Sequence, residues 1–500
     1  MAAYRELHQR FDRHYLLRSS ADLLEWDAQA MMPEGSGDLR AAQLGTLRLL
    51  AHEAIAAPDM AACLAAADAS PPEDPWERAN LVAMRRAWVH AAAVPADLVE
   101  ARTRATSSCE LAWRTARRED DFASLLPQLE EVVNLTRQVG QAKASVMGLS
   151  VYDALADEYE PGVREAMLTP LFARLERELP PIVDAIVEAQ ARAPKAPVLT
   201  GPFAVDRQAT LGRHLAGRMG FDFTRGRLDV SEHPFCGGAA EDVRMTTRYD
   251  EADFLTSVLG VVHETGHALY EMGLPRAWAR QPVGQVPGMG LHESQSLLME
   301  MQAARTPEFL GYLAGVASVH LGLGPDALSR EALARHALRV ERSLIRVDAD
   351  EATYPLHIIV RFTLERALIS GDLAVKDLPT AFRDAMERVV GRRPGTDREG
   401  CLQDVHWPTG AFGYFPSYTI GAIAAAQLFA AAVEADPAIP SELARGEFTS
   451  LRGYAHEHVH QHAARWDTNG ILERATGRGL DVDALLRHLR RRYLEDASGS

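Results

Sequence analysis

The chain has 500 residues, enough at about 100–200 residues per domain for several domains or for one large helical body. Hydrophobic residues make up 47% and charged residues 24%, which excludes disorder, collagen and low-complexity fibres as descriptions of the whole chain. With 53 Lys and Arg against 69 Asp and Glu the formal charge is −16, a field that repels polyanions, so no nucleic acid and no membrane partner is expected.

The opening run Met-Ala-Ala-Tyr-Arg-Glu-Leu-His puts charges where a secretory signal needs an apolar stretch, and a cytoplasmic protein is expected. From Tyr4 to about Arg192 apolar residues recur at three- and four-residue spacing, as in Leu125, Leu129, Val132, Val133 and Leu135. That pattern predicts a string of amphipathic helices. Breaks are expected at Ser70–Pro75 and at Ala193–Pro197, where proline removes donors and disfavours helix in the residue before it. The second break divides an N-terminal helical lobe, 1–192, from a region 193–500 that would hold the chemistry, the two together forming one domain. Arg227–Val230 and Val243–Tyr249 are short and β-prone, joined through Cys236-Gly237-Gly238, and predict a small sheet within 226–249. Helical texture then resumes to the end. The apolar stretch Ile420–Val433 contains Gln427 and is shorter than the roughly 20 residues a bilayer demands, so it reads as a buried helix. Cys63, Cys109, Cys236 and Cys401 form no C-x-x-C pair and read as isolated reduced thiols.

The chemistry concentrates in Val261-Val262-His263-Glu264-Thr265-Gly266-His267-Ala268. Residues four apart share a helix face, so His263 and His267 can direct ring nitrogens at one metal ion, and Glu264 can reach a water beside it as general base. A third ligand is required. Glu293, in Gly290-Leu291-His292-Glu293-Ser294-Gln295, opens a second helical pattern after a Pro/Gly-rich loop, far enough from His267 for the chain to turn back. His292 competes, but its side chain points about 100° away on a helix and suits an outer or substrate contact. A second H-E-x-x-H, His456–His460 with His462 after it, is crowded with imidazoles and reads as an exposed helix face, as does the terminal basic run Arg487–Arg492.

Together with H-E-x-x-H, several separated motifs occur in order: His233-Pro234-Phe235, Asp242-Val243-Arg244-Met245-Thr246, His292–Gln295, Ile345–Asp350 and Gly400–Trp407. In these the chain resembles the M32 metallocarboxypeptidases of the carboxypeptidase Taq type. The resemblance implies a mainly α fold like that of neurolysin and the angiotensin-converting enzymes, with a deep groove and a small sheet beside the metal helix. It also implies a homodimer that removes C-terminal residues one at a time with broad specificity. Zinc, with cobalt as a substitute, would be held by His263, His267 and Glu293. One departure is Leu297-Leu298-Met299-Glu300, where many members carry Arg-Leu-Trp-Glu, so local packing and subsite shape are expected to differ.

An exopeptidase must recognise a free α-carboxylate, and a buried arginine does so with its planar fork. Arg346 is the first candidate, against a structural ion pair with Asp348 or Asp350. Arg244 reads equally well as a sheet-edge salt bridge. Tyr418, His406, His233 and Tyr414 are candidates to stabilise the oxyanion, while Asp404 and Trp407 are better suited to orienting and walling the site. The competing readings are an endopeptidase or dipeptidyl carboxypeptidase with the same metal chemistry, and a metal-binding scaffold without activity.

Overall fold

The computed structural model describes residues 2–195, 199, 201–324 and 327–495; Ala196 and Pro197 of the second expected break lie outside them. Among the described residues the chain begins with α1 (Ala2–Ala30), α2 (Gly37–Ala56), α3 (Met60–Ala69), α4 (Pro75–Ala92), α5 (Ala96–Glu119), α6 (Phe122–Met147), α7 (Val151–Tyr159), α8 (Glu165–Arg192) and α9 (Val205–Met219). Three strands follow: β1 (Gly226–Val230), β2 (Cys236–Ala239) and β3 (Asp242–Thr247). The rest is α10 (Phe254–Gly273), α11 (Met289–Leu297), α12 (Pro307–Leu321), α13 (Arg330–Ala337), α14 (Tyr354–Ser370), α15 (Leu378–Val389), α16 (Pro416–Ala435), α17 (Ile439–Leu443), α18 (Thr449–His458), α19 (Thr468–Thr476) and α20 (Val482–Arg490). The fold is mainly α with one small sheet.

Local chemistry explains the boundaries. Helix α4 starts with Pro75 in its first turn and Asp74 accepting the Trp76 and Glu77 N–H groups, so the Ser70–Pro75 break is a proline-and-cap signal. Helix α6 opens on an Asp121 cap, buries Leu125, Leu129, Val132 and Val133, and ends at Gly148, whose φ of 67° suits a glycine. Asp253 caps α10 by accepting the N–H groups of Leu255 and Thr256.

In the sheet β3 is central, parallel to β1 (Leu228 opposite Met245) and antiparallel to β2 (Cys236 opposite Met245). Cys236–Gly238, expected as a connector, is therefore itself a strand. Val243 and Met245 on β3 pack with Val261 and Ala268 of α10, so the sheet braces the metal-motif helix from one side.

Two large cores hold the helices. One joins α6 and α8 (Leu129, Phe172) to α14, α16 and α20 (Ile359, Ile423, Leu486). The other surrounds α10 and α11 with α9, α12 and α18 (Leu215, Leu313, Leu451). Helix α16, which contains the apolar stretch Ile420–Val433, contributes to both and buries most of its side chains.

Two further local expectations are corrected. His456–His460 does not form one exposed helix face: α18 ends at His458, Val459 has φ −126°, and His460 turns inward to 2% exposure. The terminal run is not wholly solvated either, since Arg492 is drawn into a buried ion pair with Glu351.

Candidate metal centre

Helices α10 and α11 meet so closely that glycine is needed at the contact. A Cβ on Gly266 would stand 2.4 Å from the Gln295 carbonyl oxygen, and one on Gly421 of α16 would stand 2.9 Å from Glu293 Cβ. Helix α11 is thus clasped between α10 and α16, which sets the Glu293 side chain against both histidines.

His263, His267 and Glu293 each offer a donor atom, and these lie within 4.8 Å of one another. Glu293 Oε2 is 3.9 Å from His263 Nε2 and 3.4 Å from His267 Nε2. Donors about 2.0–2.2 Å from a tetrahedral ion stand roughly 3.3–3.6 Å apart, so the cluster fits such an ion with small adjustments. The tautomers agree. His267 Nδ1 lies 3.1 Å from the His292 carbonyl, which can only accept, so this nitrogen carries the proton and Nε2 is left with its lone pair. His263 Nδ1 lies 3.1 Å from Glu300 Oε2 and Nε2 again faces the other donors.

Burial and the neighbouring His292 lower the His267 pKa to about 3, keeping it neutral as a ligand must be. Against the cost of burial, the contact with His267 and the charge of His263 hold the Glu293 carboxyl at about 2. Burial alone would lower His263, but Glu300, Glu293 and Glu264 together raise it to about 10. Three carboxylates on so small a volume form a site for a cation. Burial pushes the Glu264 carboxyl up to about 7, and its buried Oε2 has no hydrogen-bond partner among the described residues. A carboxyl poised near neutrality with a free oxygen is what proton transfer to and from water requires.

His292 stacks on the His267 ring, 4.4 Å between centroids, and its Nε2 is 3.0 Å from Glu271 Oε1. It is thus an outer partner of the cluster. His460 Nε2 lies 3.0 Å from Gln295 Oε1, so the second H-E-x-x-H sends one histidine to support the first.

A second polar cluster is organised by Asp404. Arg346 donates Nε to Asp404 Oδ1 at 2.8 Å, and Arg361 donates Nε to Oδ2 at 2.7 Å. The partner of Arg346 is therefore Asp404, and neither Asp348 nor Asp350. Despite burial, the two guanidiniums hold the Asp404 carboxyl far below the usual carboxylate range. His406 Nε2 is 3.2 Å from the Tyr418 hydroxyl, and the Arg346 guanidinium lies over the Tyr418 ring at 5.0 Å. Tyr354, Tyr414 and Tyr418 link the two clusters: burial raises all three phenols, and the Glu293 charge raises each further. Arg244 pairs with Asp242 at 2.7 Å and sits 4.5 Å over the Trp26 ring, while His233 is exposed on the loop before β2, with no hydrogen bond or ion pair to either cluster among the described residues.

A model of the carboxypeptidase Taq (M32) metallopeptidases matches residues 6–493. The chain belongs to the M32 metallocarboxypeptidase family. It is 36% identical to thermostable carboxypeptidase 1 of Thermus thermophilus over 98% of both chains, and 38% identical to carboxypeptidase 1 of Bacillus subtilis over 77% of both. Among solved structures it superposes on Trypanosoma cruzi metallocarboxypeptidase 1 with a TM-score of 0.95 at 38% identity, covering 99% of this chain and 100% of that one. The M32 carboxypeptidase of Deinococcus radiodurans gives 0.93 at 34% identity over both full lengths.

For an M32 metallocarboxypeptidase the two clusters acquire a direction, from a centre that can hold a divalent metal to a buried arginine that can hold a carboxylate. Glu300 and Glu160 escaped sequence reasoning. Glu300 lies seven residues after Glu293, two helical turns on, a spacing that could have marked it as sharing the ligand's face. Glu160 caps α11 from a distant part of the chain and leaves no local signal.

Proposed function

We propose that this metallocarboxypeptidase is a zinc enzyme in which His263, His267 and Glu293 hold the ion and Glu264 is the general base. The observation that carries the reading is the unpartnered Glu264 Oε2 beside three converging donors. A zinc ion held there would supply Lewis acidity to the scissile carbonyl and make a nearby water a nucleophile at neutral pH.

The residues do the rest. Glu264 takes the proton of the attacking water and delivers it to the leaving amine. Arg346, already anchored through Asp404, binds the terminal carboxylate of the substrate, and one residue beyond the scissile bond is released. Tyr418 and His406, hydrogen-bonded to each other, carry the donor that meets the developing oxyanion, with Tyr414 packed 5.2 Å from Tyr418. Broad specificity for the released residue is part of the same proposal. A homodimer in the cytoplasm completes the proposal and is tested by light scattering and cell fractionation.

The deciding experiment is mass spectrometry of an unstructured peptide incubated with the full chain, with zinc or cobalt, with chelator, and with Glu264→Gln. Stepwise loss of single C-terminal residues, abolished by chelator and by the variant, supports the reading. Dipeptide or internal products would replace it with the dipeptidyl carboxypeptidase or endopeptidase reading.

A further inference from the structure

The helix that brings Glu293 to the cluster does not finish at Leu297. Leu298–Ala303 continues it as a π-helix, and the Ala304 N–H donates to the Met299 carbonyl at 2.8 Å, the wide bond of such a turn. π-turns are rare and recur at functional sites. This one carries Glu300, whose Oε2 meets His263 Nδ1 and whose Oε1 accepts Arg305 at 2.6 Å.

A helix end leaves carbonyls without intrahelical donors. Two of these, on Met301 and Gln302, are taken by a single guanidinium from the far end of the chain. Arg492 donates Nη2 to the Gln302 carbonyl at 2.8 Å and Nη1 to the Met301 carbonyl, and Nη1 also reaches Glu351 Oε1 at 2.9 Å. The Arg492 side chain is 10% exposed and that of Glu351 only 3%, so these contacts are formed away from water. The Tyr493 hydroxyl, 2.8 Å from Glu351 Oε1, and His488 Nε2, 3.3 Å from Oε2, hold the carboxylate in place. Only a planar fork with several donors can join one carboxylate to two carbonyls in this way, and a cation at a helix C-terminus is favoured by the helix dipole. Arg490 and Arg491, by contrast, are exposed.

We propose that Arg492 is a positioning residue for the metal centre. By fixing the Met301 and Gln302 carbonyls of the π-helix it fixes Glu300, and through Glu300 it fixes the His263 ring so that Nε2 faces the other donors. The inference rests on His263 being a metal ligand, as read above.

The test is zinc affinity of the metal-free full-length chain, measured by competition with a chromogenic chelator, alongside thermal unfolding of the metal-free protein. Removing an outer partner of a ligating histidine typically weakens metal binding about 10–100-fold. Arg492→Gln, further out than Glu300, is expected to weaken zinc by about tenfold, whereas Arg490→Gln, at the exposed end of α20 two residues earlier, leaves it unchanged. In a Glu300→Gln background Arg492→Gln should cost less than about twofold more, because both changes act through one imidazole. Arg492→Lys keeps the charge but not the fork and is expected to recover only part of the loss; it also replaces the glutamine variant in the cycle if the latter fails to fold. Zinc affinity within about twofold of the parent for Arg492→Gln, or the same loss with and without Glu300, overturns the proposal. A parent chain that does not bind zinc overturns instead the reading of the site on which it rests.

Discussion

A Cβ on Gly266 would stand 2.4 Å from the Gln295 carbonyl oxygen and 2.6 Å from the Ser296 Cα, so the backbones of the two ligand-bearing helices touch at this residue. The glycine between the two metal-motif histidines is therefore a packing requirement. Gly266→Ala is expected to push α11 away from α10, costing about 1–3 kcal/mol of stability, and to weaken zinc binding because Glu293 moves with α11. Gly260 on the same helix meets nothing nearer than Thr247 Oγ1 at 3.9 Å. Gly260→Ala should stabilise by roughly 0.5–1 kcal/mol from helix propensity alone. Thermal unfolding and chelator competition on both variants check the contrast. Unchanged zinc affinity in Gly266→Ala would show that the helix contact does not set the ligand geometry.

What could be read before the structure was whatever depends on local spacing. H-E-x-x-H places two imidazoles on one face at any time such a segment is helical, and Glu293 follows from the length of chain needed to turn back. Pairings between remote residues carry no period. Arg346 and Asp404 are 58 residues apart, and the near acids Asp348 and Asp350 were the natural local guesses. His460 shows the same limit from the other side: a regular helix would leave it exposed, but α18 ends at His458, Val459 has a φ of −126°, and the His460 ring lands on Gln295. Tertiary packing decided both.

Glu160 gives a second test of how α11 is held. Its carboxylate, 1% exposed, accepts the Gly290 N–H at 2.6 Å and the Thr468 hydroxyl, and a Cβ on Gly288 would lie 2.5 Å from it. An acid at the free N–H groups of a helix start is favoured by the helix dipole. Glu160→Ala leaves two buried donors without acceptors and should cost about 1–3 kcal/mol. Glu160→Gln keeps one acceptor for Gly290 and lets the hydroxyl reverse its role, so it should cost well under half as much. Urea unfolding of both variants measures the difference, and equal costs would mean that the negative charge, which both variants lose, and not the hydrogen bonding is what α11 needs.

Arg346 can be removed without stripping Asp404 of all charge compensation, because Arg361 remains on the other carboxylate oxygen. Arg346→Gln is thus expected to fold, with kcat/KM on free-carboxylate peptides falling by about 100-fold or more. Its residual activity should no longer distinguish a free from an amidated C-terminus. Asp404→Asn is a different case. It leaves two buried guanidiniums without their partner and should cost about 3–5 kcal/mol. Steady-state kinetics on paired free and amidated peptides decide the first point; a variant that still strongly prefers the free carboxylate would move that role to another residue.

Glu365 predicts a pH effect from a carboxyl that is not one of the metal-site donors. It is fully buried on α14, accepts the Tyr152 hydroxyl, the Trp407 Nε1–H at 3.4 Å and the Gly413 N–H, and burial outweighs these bonds to raise its carboxyl to about 8. The native state therefore binds this proton more tightly than the unfolded chain, whose carboxyl titrates near 4.3. Stability from this group is fully present below the unfolded value and is lost as pH rises toward about 8, where the native carboxyl ionises. Glu365→Gln keeps one acceptor for the indole N–H and removes the ionisation. The variant should match or fall slightly below the parent at about pH 5 and overtake it steadily toward about pH 8, beyond which the gap stays constant. Unfolding free energies across that range check the sign: a gap that does not change with pH would mean the carboxyl is ionised in the native protein throughout, with the three donors strong enough to hold a buried charge.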